Sequence, residues 1–238
     1  MDRRKHLFHT SVLSFLFAVA AGVLLAGMID LIRLNHTRKL FACVILTVCG
    51  YAIAYLRAVN IPKAKARRRA IKGQLSFLFV VYLIMLADFT LVDGSLGRNV
   101  LNVLGWNRAA FLHHIKTNTN LIPFATVRLF LNAYRHGTLS TAVIIENLLG
   151  NLVAFMPLAF FLPCLYKGMN RWYTVLGAVL GIVITVEILQ FLLLTGSSDI
   201  DDVILNTAGA MACYGVLRLP PIQKGLSKMT FGVWKNRD

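Results

Sequence analysis

The stretch GAVLGIVITVEILQFLLLTGSSDIDDVILNTAGAM, residues 177–211, decides the fold. Its first half is almost wholly apolar, with Glu187 and Gln190 as the marked exceptions. It lies in an apolar run, 172–194, long enough at about 1.5 Å per residue to cross the roughly 30 Å hydrocarbon core of a bilayer. Three aspartates in four residues, Asp199, Asp201 and Asp202, then precede a second apolar run, 203–219, which Pro220 and Pro221 close. Two greasy segments joined by a knot of acids fit a membrane bundle and not a soluble core.

The rest of the chain agrees. Of 238 residues 57% are hydrophobic and 15% charged, and the mean hydropathy is +0.67. A soluble domain carries about a quarter charged residues. Apolar runs at about 7–32, 40–59, 73–92, 142–166, 172–194 and 203–219 predict an all-α, polytopic helical bundle with about six transmembrane helices. The first run follows the basic segment MDRRKH but outlasts the apolar core of a signal peptide, so it reads as a retained helix. The expected divisions are an N-terminal three-helix membrane region, 1–92; an extracytoplasmic or interfacial loop, 93–141; core helices, 142–219; and a basic tail, 220–238. Cys43, Cys49, Cys164 and Cys213 all fall in apolar runs with no metal-binding spacing.

A net charge of +15 would suggest nucleic acid in a soluble protein. Here the bases follow the positive-inside rule instead, and no nucleic-acid partner is expected. With both termini cytoplasmic, seventeen Lys and Arg fall inside and eight outside. Eight of the ten acids fall outside or in the outer half of a helix. Acids contribute little to orientation, so their one-sided placement needs another cause. In the loop, VLNVLGWNRAAFLHHI and FATVRLFLNAYRH mix apolar and basic residues at helical spacing and suit a membrane interface. The pair His113–His114 reads as a surface feature.

Polar side chains inside spanning helices are costly, so they should face one another in the bundle interior. Asn147 and Asn151 share a helix face, beside Gly150 and ahead of Pro157 and Pro163. Glu187 and Gln190 share another, while Gly177 and Gly181 form a GxxxG packing pattern. Asp199, Asp202 and Asn206 line a third, which Gly209 continues, and Asp199 or Asp201 suits a helix N-cap. Together these groups predict one outward-facing polar pocket. No sequence feature names a cofactor or a metal. The aspartate spacing alone leaves Asp199, Asp201 and Asp202 as candidates for a hard divalent cation, Ca²⁺ or Mg²⁺.

Three blocks give the chain a resemblance to the VanZ-like family of membrane proteins, named for a teicoplanin-resistance component. They are TNTNLIPF (Thr117–Phe124), ENLLGNLVAFMPLAFFLP (Glu146–Pro163) and the acid- and amide-bearing segment Glu187–Ala210. The likeness spans about 117–217. Many relatives carry an arginine just before the aspartates, where this chain has Ser197-Ser198. The resemblance adds Asn120 to the candidate pocket and implies a role in glycopeptide susceptibility. The leading expectation is a non-enzymatic, multi-pass plasma-membrane protein whose partners are membrane lipids and a lipid-linked cell-wall precursor or glycopeptide. An enzyme using carboxylates or a divalent cation on a lipid-linked substrate, and a proton-coupled transporter using Glu187, are the alternatives.

Overall fold

The computed structural model describes residues 3–28, 36–93 and 104–234. Its helices are α1 (Arg3–Met28), α2 (His36–Val59), α3 (Ala64–Ala87), α4 (Arg108–Thr117), α5 (Ala125–His136), α6 (Thr141–Ala154), α7 (Leu158–Leu165), α8 (Trp172–Leu192), α9 (Ile200–Leu217) and α10 (Pro220–Met229). Two strands of two residues each, β1 (Thr119–Asn120) and β2 (Ser198–Asp199), pair in parallel. The protein is thus an all-α membrane bundle with a minimal β bridge.

Among the described residues, four segments are long and apolar enough to span a bilayer: Arg38–Val59, Ala64–Val92, Thr141–Leu165 and Trp172–Leu192. A fifth is counted if α9 and α10 form one broken span. The expected runs fall on helices as far as the described residues reach; residues 29–32 of the first run lie outside them, and the sixth is short for a single span. In α1, the apolar part Val12–Ala26 lies within the described residues. Helix α9 has 18 residues, about 27 Å of helix. The fourth run is a broken helix. Pro157 has no N–H to continue α6, and the chain restarts as α7 one short turn later.

The chain forms two compact units, residues 1–88 with 220–238, and residues 89–219. The first boundary falls at Asp88, slightly before the expected 92, and the C-terminal segment joins the first unit. In that unit α1 packs on α2 and α2 on α3. Gly50 of α2 sits where a methyl group would lie 2.8 Å from the Phe17 ring, which explains a glycine in a spanning helix. Lys39, near the start of α2, donates to Asp88 at the end of α3 at 2.9 Å, and both side chains are buried. This bond fixes α2 and α3 as an antiparallel pair. The segment expected as a basic tail is folded as far as Trp234. Tyr51 Oη donates to the Met229 carbonyl at 2.8 Å, Phe231 stacks on Tyr55 at 5.1 Å, and Trp234 is buried. Residues 235–238 lie outside the described residues.

In the second unit α9 is the hub, packed on α6, α7 and α8. The α8 face turned inward is Val175, Val179, Val183, Glu187 and Gln190, a helical stripe with two polar members at its end. Its other faces are exposed and apolar, as lipid contact requires. A π-helical turn, Asp88–Val92, ends the third span. Such a turn breaks the regular i→i−4 ladder, and Gln190 Nε2 donates to the Thr90 carbonyl there at 2.8 Å.

Removing one partner of a buried ion pair strands the other charge. Lys39→Ala or Asp88→Ala should therefore cost about 3–5 kcal/mol, whereas the double change Lys39→Met, Asp88→Leu should restore most of the loss. Thermal unfolding of the purified variants in detergent measures this. Equal losses for the single and double variants would remove the ion pair from the fold's requirements.

Candidate functional site

The acids of the opening stretch do their first work as fasteners. Asp199 is the N-cap of α9, its Oδ1 accepting from the Asp201 N–H at 2.9 Å. The same oxygen accepts from Asn120 Nδ2 at 3.1 Å, and Oδ2 accepts from the Thr126 hydroxyl. Asp201, 1% exposed, serves a different helix. It accepts from the backbone N–H groups of Phe124, Thr126 (2.8 Å) and Val127 (3.1 Å). These are the unsatisfied donors that open α5, and a carboxylate there also meets the positive end of the helix dipole.

A seam of hydrogen bonds extends this contact. Asn120 Oδ1 accepts from Ile122 N–H at 3.1 Å, bending the chain into the Leu121–Phe124 turn. Phe124 has φ +64°, a left-handed conformation strained for an aromatic residue, and its N–H points to Asp201. Thr119 pairs with Ser198 and Asn120 with Asp199 in the β bridge. Ser198 N–H donates to the Asn118 carbonyl at 2.8 Å. His114, expected at the surface, is buried. Asn118 Nδ2 donates to its Nδ1 at 2.7 Å, which leaves Nε2–H to donate to the Gly196 carbonyl at 3.0 Å. His113 is exposed. The α4–α5 segment is thus sewn along its length to the residues that lead into α9.

Deeper in the unit, Asp202 accepts from Asn151 Nδ2, joining α9 to α6. Close by, Gly209 meets α6 backbone to backbone: a methyl group on it would fall 1.7 Å from the Leu152 carbonyl oxygen. Gly209 is the glycine that a close helix crossing demands. Gly150, Gly177 and Gly181 are not. All three are exposed, with no described atom within 4 Å of an added Cβ. Among the described residues, the GxxxG pattern of α8 therefore makes no close helix crossing.

One turn beyond Asp202 on the same α9 face, Asn206 is 3% exposed, and its Oδ1 has no hydrogen-bond partner. Side chains lean toward the start of their helix, so Asn206 leans back toward Asp202. The adjacent Thr207 Oγ1 is likewise buried without a partner. Glu187, 7% exposed, lies on the α8 stripe. It sits five residues from the α8 end and Asn206 six from the α9 start, which puts both about 8–9 Å in along an antiparallel pair.

The chain belongs to the VanZ/LLP1 family. The family profile matches residues 79–220, more than half of the chain, described as VanZ/LLP1. Neither curated proteins nor solved structures give a significant match. The VanZ/LLP1 region begins in α3 and takes in all three blocks named above, a longer stretch than 117–217. Those blocks supply the seam and the residues packed beside it. Asn120 comes from the first, Asn151 and Leu152 from the second, and Glu187, Asp199, Asp202, Asn206 and Gly209 from the third.

Of the eight candidate residues, Asn120 with Asp199 and Asn151 with Asp202 meet directly, and Asn206 lies one turn from the second pair. Glu187 is buried on the helix that packs beside them. Gln190 is engaged with the π-turn. Asn147 is not part of the cluster: it is exposed and donates back to the Val143 carbonyl of its own helix at 2.8 Å. The three aspartates face different partners. They turn to three separate sets of donors, and among the described residues no three His, Cys, Asp or Glu side chains group as a metal requires. Thr126 and His114 were missed as members of the seam. Thr126 stands in the first turn of α5, a place that gave no polar-in-membrane signal.

Three substitutions test this construction. Gly209→Ala should abolish correct α6–α9 packing and sharply lower the yield of folded protein. Gly215→Ala on the same helix, with open space around it, should be tolerated. Asp201→Ala leaves three backbone donors of α5 without their acceptor and should cost about 3 kcal/mol or more locally. Hydrogen exchange over residues 119–136 is the readout, and unchanged protection there would show that Asp201 does not hold α5.

Proposed function

We propose that this VanZ/LLP1 protein is a plasma-membrane binding protein with both termini cytoplasmic and the start of α9 facing outward. Beneath the aspartate seam it holds a polar group of an envelope lipid, a lipid-linked cell-wall precursor or a glycopeptide. Through that binding it alters susceptibility to teicoplanin-type antibiotics. The observation that carries this reading is the unpartnered Asn206 Oδ1, buried on α9, the helix that packs on α6 and α8, one turn from the Asp202–Asn151 pair. A buried acceptor left without a donor costs about 1–3 kcal/mol, and retaining one at the centre of the family's matched blocks favours a guest that supplies the donor. Binding is favoured over catalysis because Asp199 and Asp201 each accept three hydrogen bonds from their own fold. Carboxylates so occupied have little room to reach a proton of a substrate.

Replacing Asn206 by Leu separates structure from function. The change removes a stranded polar atom at similar volume, so thermal stability should stay level or rise slightly. Teicoplanin susceptibility should nevertheless move toward that of the deletion strain, with the variant expressed at the wild-type level. If susceptibility stays at the wild-type value in a strain where deletion has an effect, Asn206 holds no guest and the proposal fails.

A further inference from the structure

The first unit carries a charged surface that the α9 cluster does not involve. Between Arg57 and Lys72 there are seven bases and no acid, and between Pro220 and Trp234 there is again no acid. The two segments, about 150 residues apart in sequence, are brought to one end of the unit by side-chain contacts. Phe231 lies between the Tyr55 ring at 5.1 Å and the Arg67 guanidinium at 5.2 Å. Arg67 is itself fixed by two donations to the Ile61 carbonyl, 3.1 and 2.7 Å. Tyr51 holds the end of α10 through the Met229 carbonyl.

Docked in this way, α10 adds Lys224 and Lys228 to Lys63, Lys65, Arg68 and Arg69, and all six are exposed. Lys224 and Lys228 are four apart and share one face of α10. The basic end coincides with the ends of two helices of membrane-spanning length, α2 and α3. Exposed apolar side chains accompany these bases, Val59 at the end of α2 and Met229 at the end of α10. Bases over apolar side chains at the end of a span match an anionic bilayer surface: phosphate above, acyl chain below.

We propose that α10, docked through Phe231 on the α2–α3 hairpin, completes a basic platform that selects anionic phospholipid headgroups. Orientation of the spans during insertion needs the bases but not their arrangement. The platform needs both, which makes the two roles separable.

The full chain is placed in nanodiscs of phosphatidylcholine with graded phosphatidylglycerol. Thermal unfolding and the lipids retained on release, read by native mass spectrometry, are then compared. Phosphatidylglycerol should raise the unfolding temperature and be retained in preference to phosphatidylcholine. Lys224→Gln with Lys228→Gln should reduce that preference about tenfold, since a base near the surface is worth about fivefold before salt screening. Phe231→Ala keeps every charge and frees α10, and it should reduce the preference similarly. If Phe231→Ala does not fold, the lysine pair alone decides. Equal retention of the two lipids, or a lysine-pair variant or a folded Phe231→Ala variant with wild-type selectivity, overturns the proposal. So does an equal thermal shift from inorganic phosphate in pure phosphatidylcholine, which would make the surface an anion site and not a lipid platform.

Discussion

Much of the second unit depends on one carboxylate, that of Asp201. The first donors of any helix lack partners within it, and α5 begins where the chain has just left a strained turn. Asp201 supplies the missing acceptor from another helix, seventy-odd residues further along the chain. Its neighbour Asp199 caps α9 from within and reaches Asn120 and Thr126 of the same turn. Two adjacent helix starts are thus closed by two aspartates, one cap local and one borrowed. Buried charge-assisted bonds of this kind are worth more than neutral ones, and their loss would leave donors stranded where little water is available to replace Asp201.

This economy changes what the acids mean. Three aspartates at the mouth of a greasy helix look like a ligand site, yet Asp199 and Asp201 are consumed by helix ends, and Asp202 holds Asn151. What is left over is smaller and deeper: the Asn206 oxygen and the Thr207 hydroxyl, buried without partners. Close to them Gly209 lets α6 and α9 touch through backbone. The same crossing that excludes any side chain at Gly209 leaves polar atoms unsatisfied a turn away. Tight packing and an orphaned acceptor side by side are hard to explain by helix assembly alone, which would place an apolar residue at 206 at no loss.

The membrane class, the helical runs and the three blocks were legible because composition and period are local properties. The break at Pro157 was legible for the same reason. Asp199 as a cap could be read from its place before an apolar run. Asp201 as the cap of a second helix could not, because nothing local connects residue 201 to residues 124–127. His114 was misread since a histidine pair in an amphipathic loop carries no mark of the Gly196 carbonyl that buries one of the two. Asn147 was misplaced because sharing a face with Asn151 sets direction and not reach, and its amide found its own helix first. The glycines show the same limit. Gly150, Gly177, Gly181 and Gly209 look alike in sequence, and only the crossing point of two helices distinguishes the last. The tail beyond Pro220 was read by its charge, while its fate is set by Phe231 and Trp234, aromatic residues whose partners Tyr55 and Arg67 lie far upstream.

A chain with so few acids can carry +15 and still place several acids in its interior because the donors that meet them are mostly uncharged. Asp199, Asp201 and Asp202 are met by amides, a hydroxyl and backbone N–H groups. Lys39–Asp88 is a contrasting case, where a base is drawn inside to match an acid. Neutral donors hold a carboxylate without cancelling its charge or using up a lysine. The bases are therefore left on the surface, where they gather without acids around Lys63–Arg69 and α10. Internal acids fastened by neutral groups and external bases left uncompensated are two sides of one allocation. It follows from the high cost of burying ammonium and guanidinium groups that have no carboxylate in reach.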